Sequence, residues 1–127
     1  MRGLLFAVLL IIGMQAAAAE EWAARHGICY EWEARWDVQQ EPTGVWIGFI
    51  DFLHVGGPCA AGNRQVLTYE VRAAIVGGDF FARRTMGTTV CHLHGHIRGD
   101  EVRGVELCSS LPTPFQFAIR FDPQRSR

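Results

Sequence analysis

The clearest candidate for chemistry in this chain is a row of three histidines spaced two residues apart. His92, His94 and His96 lie in the run C-H-L-H-G-H. Alternate side chains of a β-strand project from one face, so the three imidazoles would share a face. Imidazole is a common ligand of zinc, copper and nickel. The spacing therefore makes His92, His94 and His96 candidate metal ligands.

The length of a histidine side chain limits how many of these three residues could bind one metal ion. In an extended strand, the Cα atoms of His92 and His96 are about 13 Å apart. An imidazole places its metal about 6.5 Å from Cα, so all three could share an ion only in a stretched, linear arrangement. A pair of neighbours would need further ligands, for which the candidates are His26, Asp51, His54 and Glu106. We favour the alternative, a polar outer strand face without metal, and predict no cofactor.

The residues that flank this row predict a hairpin closed by a disulfide. If residues 99–100 (Gly-Asp) form a two-residue turn, Cys91 lies directly opposite Cys108 in a non-hydrogen-bonded pair. The Cα separation of such a pair, about 4.5–5.5 Å, suits a disulfide. By elimination, Cys29 would then pair with Cys59. Two disulfides indicate an oxidising compartment.

The N-terminal segment has the organisation of a secretory signal. Arg2 is followed by an apolar run from residue 4 to residue 12, and alanines at 17–19 precede Glu20. This pattern predicts a signal peptide over residues 1–19 and a single domain over residues 20–127. We therefore expect a protein exported to the periplasm or secreted, and not embedded in a membrane after the signal is cleaved.

Composition excludes some classes of partner and of enzyme. The chain carries a net charge of −1, which is not the basic footprint of a nucleic-acid-binding protein. No serine lies in a G-x-S-x-G motif, and no glycine-rich loop leads into a helix to cradle a phosphate. With all four cysteines assigned to disulfides, no thiolate nucleophile remains. We expect a protein that is not an enzyme.

Apolar and polar residues alternate along most of the chain, which is the pattern of half-buried strands. Residues 20–27 are predicted as a short helical turn. The remainder predicts an all-β fold, a small antiparallel meander of about seven strands that closes as a barrel or a sandwich. The predicted strands are 28–38, 45–55, 67–75, 80–86, the two strands of the hairpin that joins Cys91 to Cys108, and 115–121.

Two charged residues fall on the inward faces of predicted strands. Arg84 and Glu106 could anchor the polar group of a ligand in an apolar cavity, because a buried charge is costly unless it is paired. Alternatively, Arg84 could lie at a strand end and reach water. Trp46 and Phe81 are predicted on outer faces, as an exposed recognition patch. The sequence favours binding to an unidentified protein partner or a small apolar ligand; the alternative is a periplasmic metal-binding protein that uses His92, His94 and His96.

Overall fold

The structure, a computed structural model, describes residues 19–54 and 66–121. They form a closed antiparallel barrel of eight strands, in which each strand pairs with the next and β1 pairs with β8. No helix in these two ranges is long and apolar enough to cross a membrane. The strands are β1 (Ala19–Gly27), β2 (Trp32–Gln40), β3 (Trp46–His54), β4 (Val66–Val76), β5 (Asp79–Met86), β6 (Thr89–Arg98), β7 (Glu101–Cys108) and β8 (Phe115–Arg120).

The predicted all-β meander is confirmed, and it closes as a barrel. The prediction of a helical turn over residues 20–27 is wrong, because this segment is the strand β1. Its alternate side chains Trp22, Ala24 and His26 are buried, and its two neighbours β2 and β8 would otherwise have unpaired edges. The predicted strand 28–38 is also shorter than expected: β2 begins at Trp32, after a turn in which Tyr30 has a φ of 55°.

The predicted register of the hairpin formed by β6 and β7 is confirmed. Cys91 lies opposite Cys108, with Cα atoms 4.0 Å apart, and the two form a disulfide. Cys29 is also disulfide-bonded. Cys59, the partner predicted for it, lies outside the described residues, so the second predicted pairing remains a prediction. A disulfide is consistent with an exported protein.

The two ends of the barrel interior have different contents. We call one the aromatic end: it holds Trp22, Trp46, Phe80 and Phe121, all buried. The ring centroid of Trp22 is 5.2 Å from that of Trp46 and 5.0 Å from that of Phe121. We call the other the polar end: the turn from β1 to β2, the turn from β5 to β6 and the loop from β7 to β8 lie there. The polar end contains the buried charged residues.

Candidate functional site

Three ionisable side chains from three different strands meet inside the polar end. His26 on β1, Arg84 on β5 and Glu106 on β7 are 1%, 5% and 0% exposed. The Nε of Arg84 donates a hydrogen bond of 2.9 Å to Oε2 of Glu106. The Nδ1 of His26 lies 2.8 Å from the other carboxylate oxygen, Oε1. Each side chain points inward because it occupies an inward position of a two-residue alternation. We call these three residues the buried cluster.

The hydrogen bonds of His26 assign its tautomer. The indole Nε1 of Trp36 lies 3.3 Å from Nε2 of His26. An indole N–H can only donate, so Nε2 accepts and the ring proton is on Nδ1, which donates to Glu106. Burial lowers the pKa of His26, and the attraction of Glu106 offsets only part of this effect. A second proton would also place two donors against each other at Nε2. His26 is therefore neutral at pH 7.

Glu106 is ionised. Burial is the strongest influence on it and by itself would raise its pKa. Its interactions with His26 and with the guanidinium of Arg84, which include a hydrogen bond from each, together outweigh burial, so the pKa of Glu106 lies below its ordinary value. The buried cluster thus contains one positive charge on Arg84, one negative charge on Glu106 and a neutral imidazole.

Aromatic faces complete the surroundings of the arginine. The guanidinium carbon of Arg84 lies 4.3 Å from the ring centroid of Tyr69 and 4.7 Å from that of Phe52. Its Nη2 is 3.6 Å from the Sγ of Cys108. Cation–π contacts of this kind are stronger where water is excluded, and they replace part of the hydration that the cation loses on burial. Arg84 is therefore held in a fixed orientation and does not reach bulk water at a strand end.

A cavity of about 210 Å³ lies against the buried cluster at the polar end. Arg84 and Glu106, predicted as a ligand anchor, both line it. His26 also lines it, although the sequence suggested His26 only as an extra metal ligand. Its inward position follows from the alternation of β1, which the predicted helical turn concealed. The other residues that line the cavity are Gly27, Trp32, Phe52, Leu67, Tyr69, Thr89, Cys108, Ser110, Leu111 and Phe115.

The histidine row lies on the outer wall, with all three rings exposed. Asp79, the first residue of β5, joins two of them: its Oδ1 is 3.5 Å from Nε2 of His94 and 3.0 Å from Nδ1 of His96. His92 faces Arg83 across the β5–β6 ladder instead. Asp79 was not predicted as a ligand, because its position beside the histidines depends on the register between β5 and β6.

Three of the additional metal ligands suggested from the sequence do not join this row. Inside the barrel, His26 and Glu106 are separated from the outer wall by the sheet. Asp51 lies on β3, where it accepts a hydrogen bond of 2.9 Å from Thr68. The side chain of His54 is outside the described part of the chain.

The prediction that Trp46 belongs to an exposed patch is wrong. Trp46 is 2% exposed and lies in the aromatic end against Trp22. The buried residues of β3, Trp46, Ile50 and Phe52, have even numbers, but the apolar run that contains this strand lacks the polar alternation that would reveal this face. Phe81 is 44% exposed, as predicted, and its ring stacks on His94 with centroids 4.6 Å apart.

Comparison of the chain with protein-family models, with curated proteins and with solved structures found no match.

Proposed function

We propose that this protein binds a small, mostly apolar molecule that carries one hydrogen-bond acceptor, in the cavity at the polar end. The observation that carries the proposal is a buried arginine in the cavity wall. A guanidinium group has five N–H donors, and Glu106 takes the donor on Nε. Arg84 thus has donors beyond the one that Glu106 occupies, and it lines the cavity.

The volume of the cavity indicates the size of the ligand. An engineered apolar cavity of about 150 Å³ in another protein accommodates benzene. The cavity here, at about 210 Å³, suits a molecule about as large as a benzene ring with one substituent. The rings of Trp32, Phe52 and Phe115 and the side chains of Leu67 and Leu111 would contact its apolar body.

The charges of the buried cluster indicate the polar group. Glu106 neutralises Arg84 overall, so the site does not require a fully charged anion. A carbonyl, hydroxyl or carboxylate oxygen could accept a hydrogen bond from the guanidinium. A cationic ligand would face the positive charge of Arg84, while Glu106 already has partners on both oxygens. The site therefore favours an acceptor over a donor.

The state of His26 supports binding rather than catalysis. A general base needs a nitrogen that can take a proton from the substrate. Both nitrogens of His26 are engaged, Nε2 by Trp36 and Nδ1 by Glu106, and burial disfavours the protonated ring. We place this binding outside the cytoplasm, in the periplasm or the medium, in keeping with the disulfide.

Matched phenyl probes test the proposal. Toluene, benzyl alcohol, benzoate and benzamidine share one ring and differ in the polar group. Amide chemical shifts followed by NMR during titration should change around Leu67, Leu111 and the buried cluster. We expect benzyl alcohol or benzoate to bind at least about tenfold more tightly than toluene, corresponding to about 1.4 kcal/mol from one added hydrogen bond. Benzamidine should bind least.

Two variants locate the binding. Leu67→Trp adds a large ring to the cavity wall and should remove the shift changes. Val76→Trp adds the same ring to an exposed position at the opposite end and should leave them intact, with circular dichroism reporting the fold of both. The proposal fails if none of the four probes shifts these amides at millimolar concentration, or if Leu67→Trp binds as wild type does.

A further inference from the structure

We propose a second site, independent of the cavity: a divalent transition-metal site on the outer wall formed by Asp79, His94 and His96. The three side chains offer two imidazole nitrogens and one carboxylate oxygen, and these atoms all lie within 4.8 Å of one another. The residues occupy neighbouring strands, with Asp79 directly opposite His96 in the β5–β6 ladder. We call them the outer triad.

Two of the three separations in the outer triad are close to those around a tetrahedral ion. Zinc bonds to nitrogen and oxygen are about 2.0–2.2 Å long, so tetrahedral ligand atoms are about 3.3–3.5 Å apart. The two imidazole nitrogens lie 3.5 Å and 3.0 Å from Oδ1 of Asp79. Small side-chain rotations would bring all three atoms to bonding distance of one ion.

The donor set selects the class of metal. Two imidazoles and a carboxylate suit zinc, copper(II) or nickel(II), whereas calcium and magnesium prefer oxygen ligands. Three protein ligands leave at least one coordination position for water or an exogenous ligand. Because the side chains of the outer triad are 46–73% exposed, water can reach that position.

Neighbouring residues favour this site over the rest of the histidine row. Phe81 lies opposite His94 in the ladder, and its ring is parallel to the imidazole within 2°, which restricts the orientation of that ligand. Arg103, opposite His96 on β7, would repel a cation, but its guanidinium is paired with Glu101. His92 faces Arg83 and has no place in the outer triad.

Zinc titration of the tag-free protein, followed by calorimetry at pH 7.5, tests the outer triad. At this pH ordinary imidazole side chains are mostly neutral and able to bind metal. We expect one zinc ion per chain and no heat from magnesium chloride. His94→Ala, His96→Ala and Asp79→Asn should each weaken zinc binding more than about 100-fold, because loss of even an outer partner of a metal ligand costs about 10–100-fold.

His92→Ala is the matched control, since it removes an exposed histidine from the same strand face. Its zinc affinity should stay within about threefold of wild type, as expected for a residue that is not a ligand. The proposal is overturned if His92→Ala loses as much affinity as His94→Ala. It is also overturned if wild type binds zinc no more tightly than the double variant His94→Ala/His96→Ala.

Discussion

The aromatic end and the polar end share the same eight strands, yet one is filled by rings and the other holds charges beside a cavity. At the aromatic end Trp22, Trp46, Phe80 and Phe121 pack against one another with centroids 5.0–6.4 Å apart. Such packing contributes stability directly. Apolar residues in place of a buried ion pair often stabilise a protein. Because apolar residues in these positions would often make a small domain more stable, the charges retained at the polar end make that end the better candidate for a functional site.

Trp36 contacts residues of both ends. Trp36 stacks on Trp22 of the aromatic end, with ring centroids 5.9 Å apart. Its indole N–H donates to His26 of the buried cluster. The same ring thus belongs to the packed core and fixes the imidazole, which in turn donates to Glu106. Trp36 is thus a direct contact between the two ends, and a comparison of variants at the two ends measures how far a change at one end affects the other.

The largest effect is expected from Glu106→Leu. This change leaves Arg84 buried without its carboxylate, and unpairing a buried charge costs about 3–5 kcal/mol. The double variant Arg84→Met/Glu106→Leu removes both charges and should regain most of that loss. Urea denaturation of wild type, both single variants and the double variant gives the coupling free energy. Additive losses would show that Arg84 and Glu106 do not stabilise each other.

A smaller loss is expected at the aromatic end from Trp46→Leu, which leaves part of the volume of a buried ring unfilled. We expect a loss of about 2–3 kcal/mol in the free energy of unfolding. Phe49→Leu, on the same strand but 53% exposed, is the control and should change stability by less than about 0.5 kcal/mol. Probe binding at the cavity should survive Trp46→Leu; its loss would mean that the ends are not separable.

His26 should make stability fall in mild acid. The unfolded chain takes up a proton at this residue below about pH 6.5, the ordinary value, whereas the folded chain resists it because burial lowers the pKa. The unfolding free energy should therefore decrease with falling pH, by up to about 1.4 kcal/mol per pH unit. Urea denaturation between pH 7.5 and 5 measures the slope.

Two variants test whether His26 causes this pH dependence of the unfolding free energy. His26→Gln should flatten it, and His92→Ala, an exposed histidine, should retain it. An unchanged slope in His26→Gln would assign the acid sensitivity to other groups.

Predictions from the sequence were most accurate where polar and apolar residues alternate regularly. The inward positions of Arg84 and Glu106 and the pairing of Cys91 with Cys108 followed from local period and turn geometry alone. The segment that forms β1 is rich in alanine and glutamate, which favour helix locally. Its strand conformation is set by pairing with β2 and with β8, which lies far along the chain.

The parts of the sites that sequence reasoning missed depend on contacts between strands. His26 completes the buried cluster only because β1 is a strand in the barrel wall. Asp79 reaches the histidine row only through the register of β5 against β6. Trp46 was assigned to the wrong face, because the two polar residues in the apolar run around it, Asp51 and His54, have opposite parity in the sequence and do not mark one outer face.

The smallest effect on stability is expected from breaking an exposed ion pair on the outer wall. Its atoms are about as close together as those of the buried pair Arg84–Glu106. Arg25 and Glu33 lie 3.1 Å apart but are 58% and 50% exposed, whereas Arg84 and Glu106 lie 2.9 Å apart and are 6% and 0% exposed. Water and salt screen the exposed pair, so Glu33→Gln should change stability by less than about 1 kcal/mol, and less still in 1 M NaCl. Urea denaturation of Glu33→Gln beside Glu106→Gln compares the two pairs directly. If both substitutions cost the same, burial is not what distinguishes the cluster, and the contrast between the barrel's interior and its outer wall loses its physical basis.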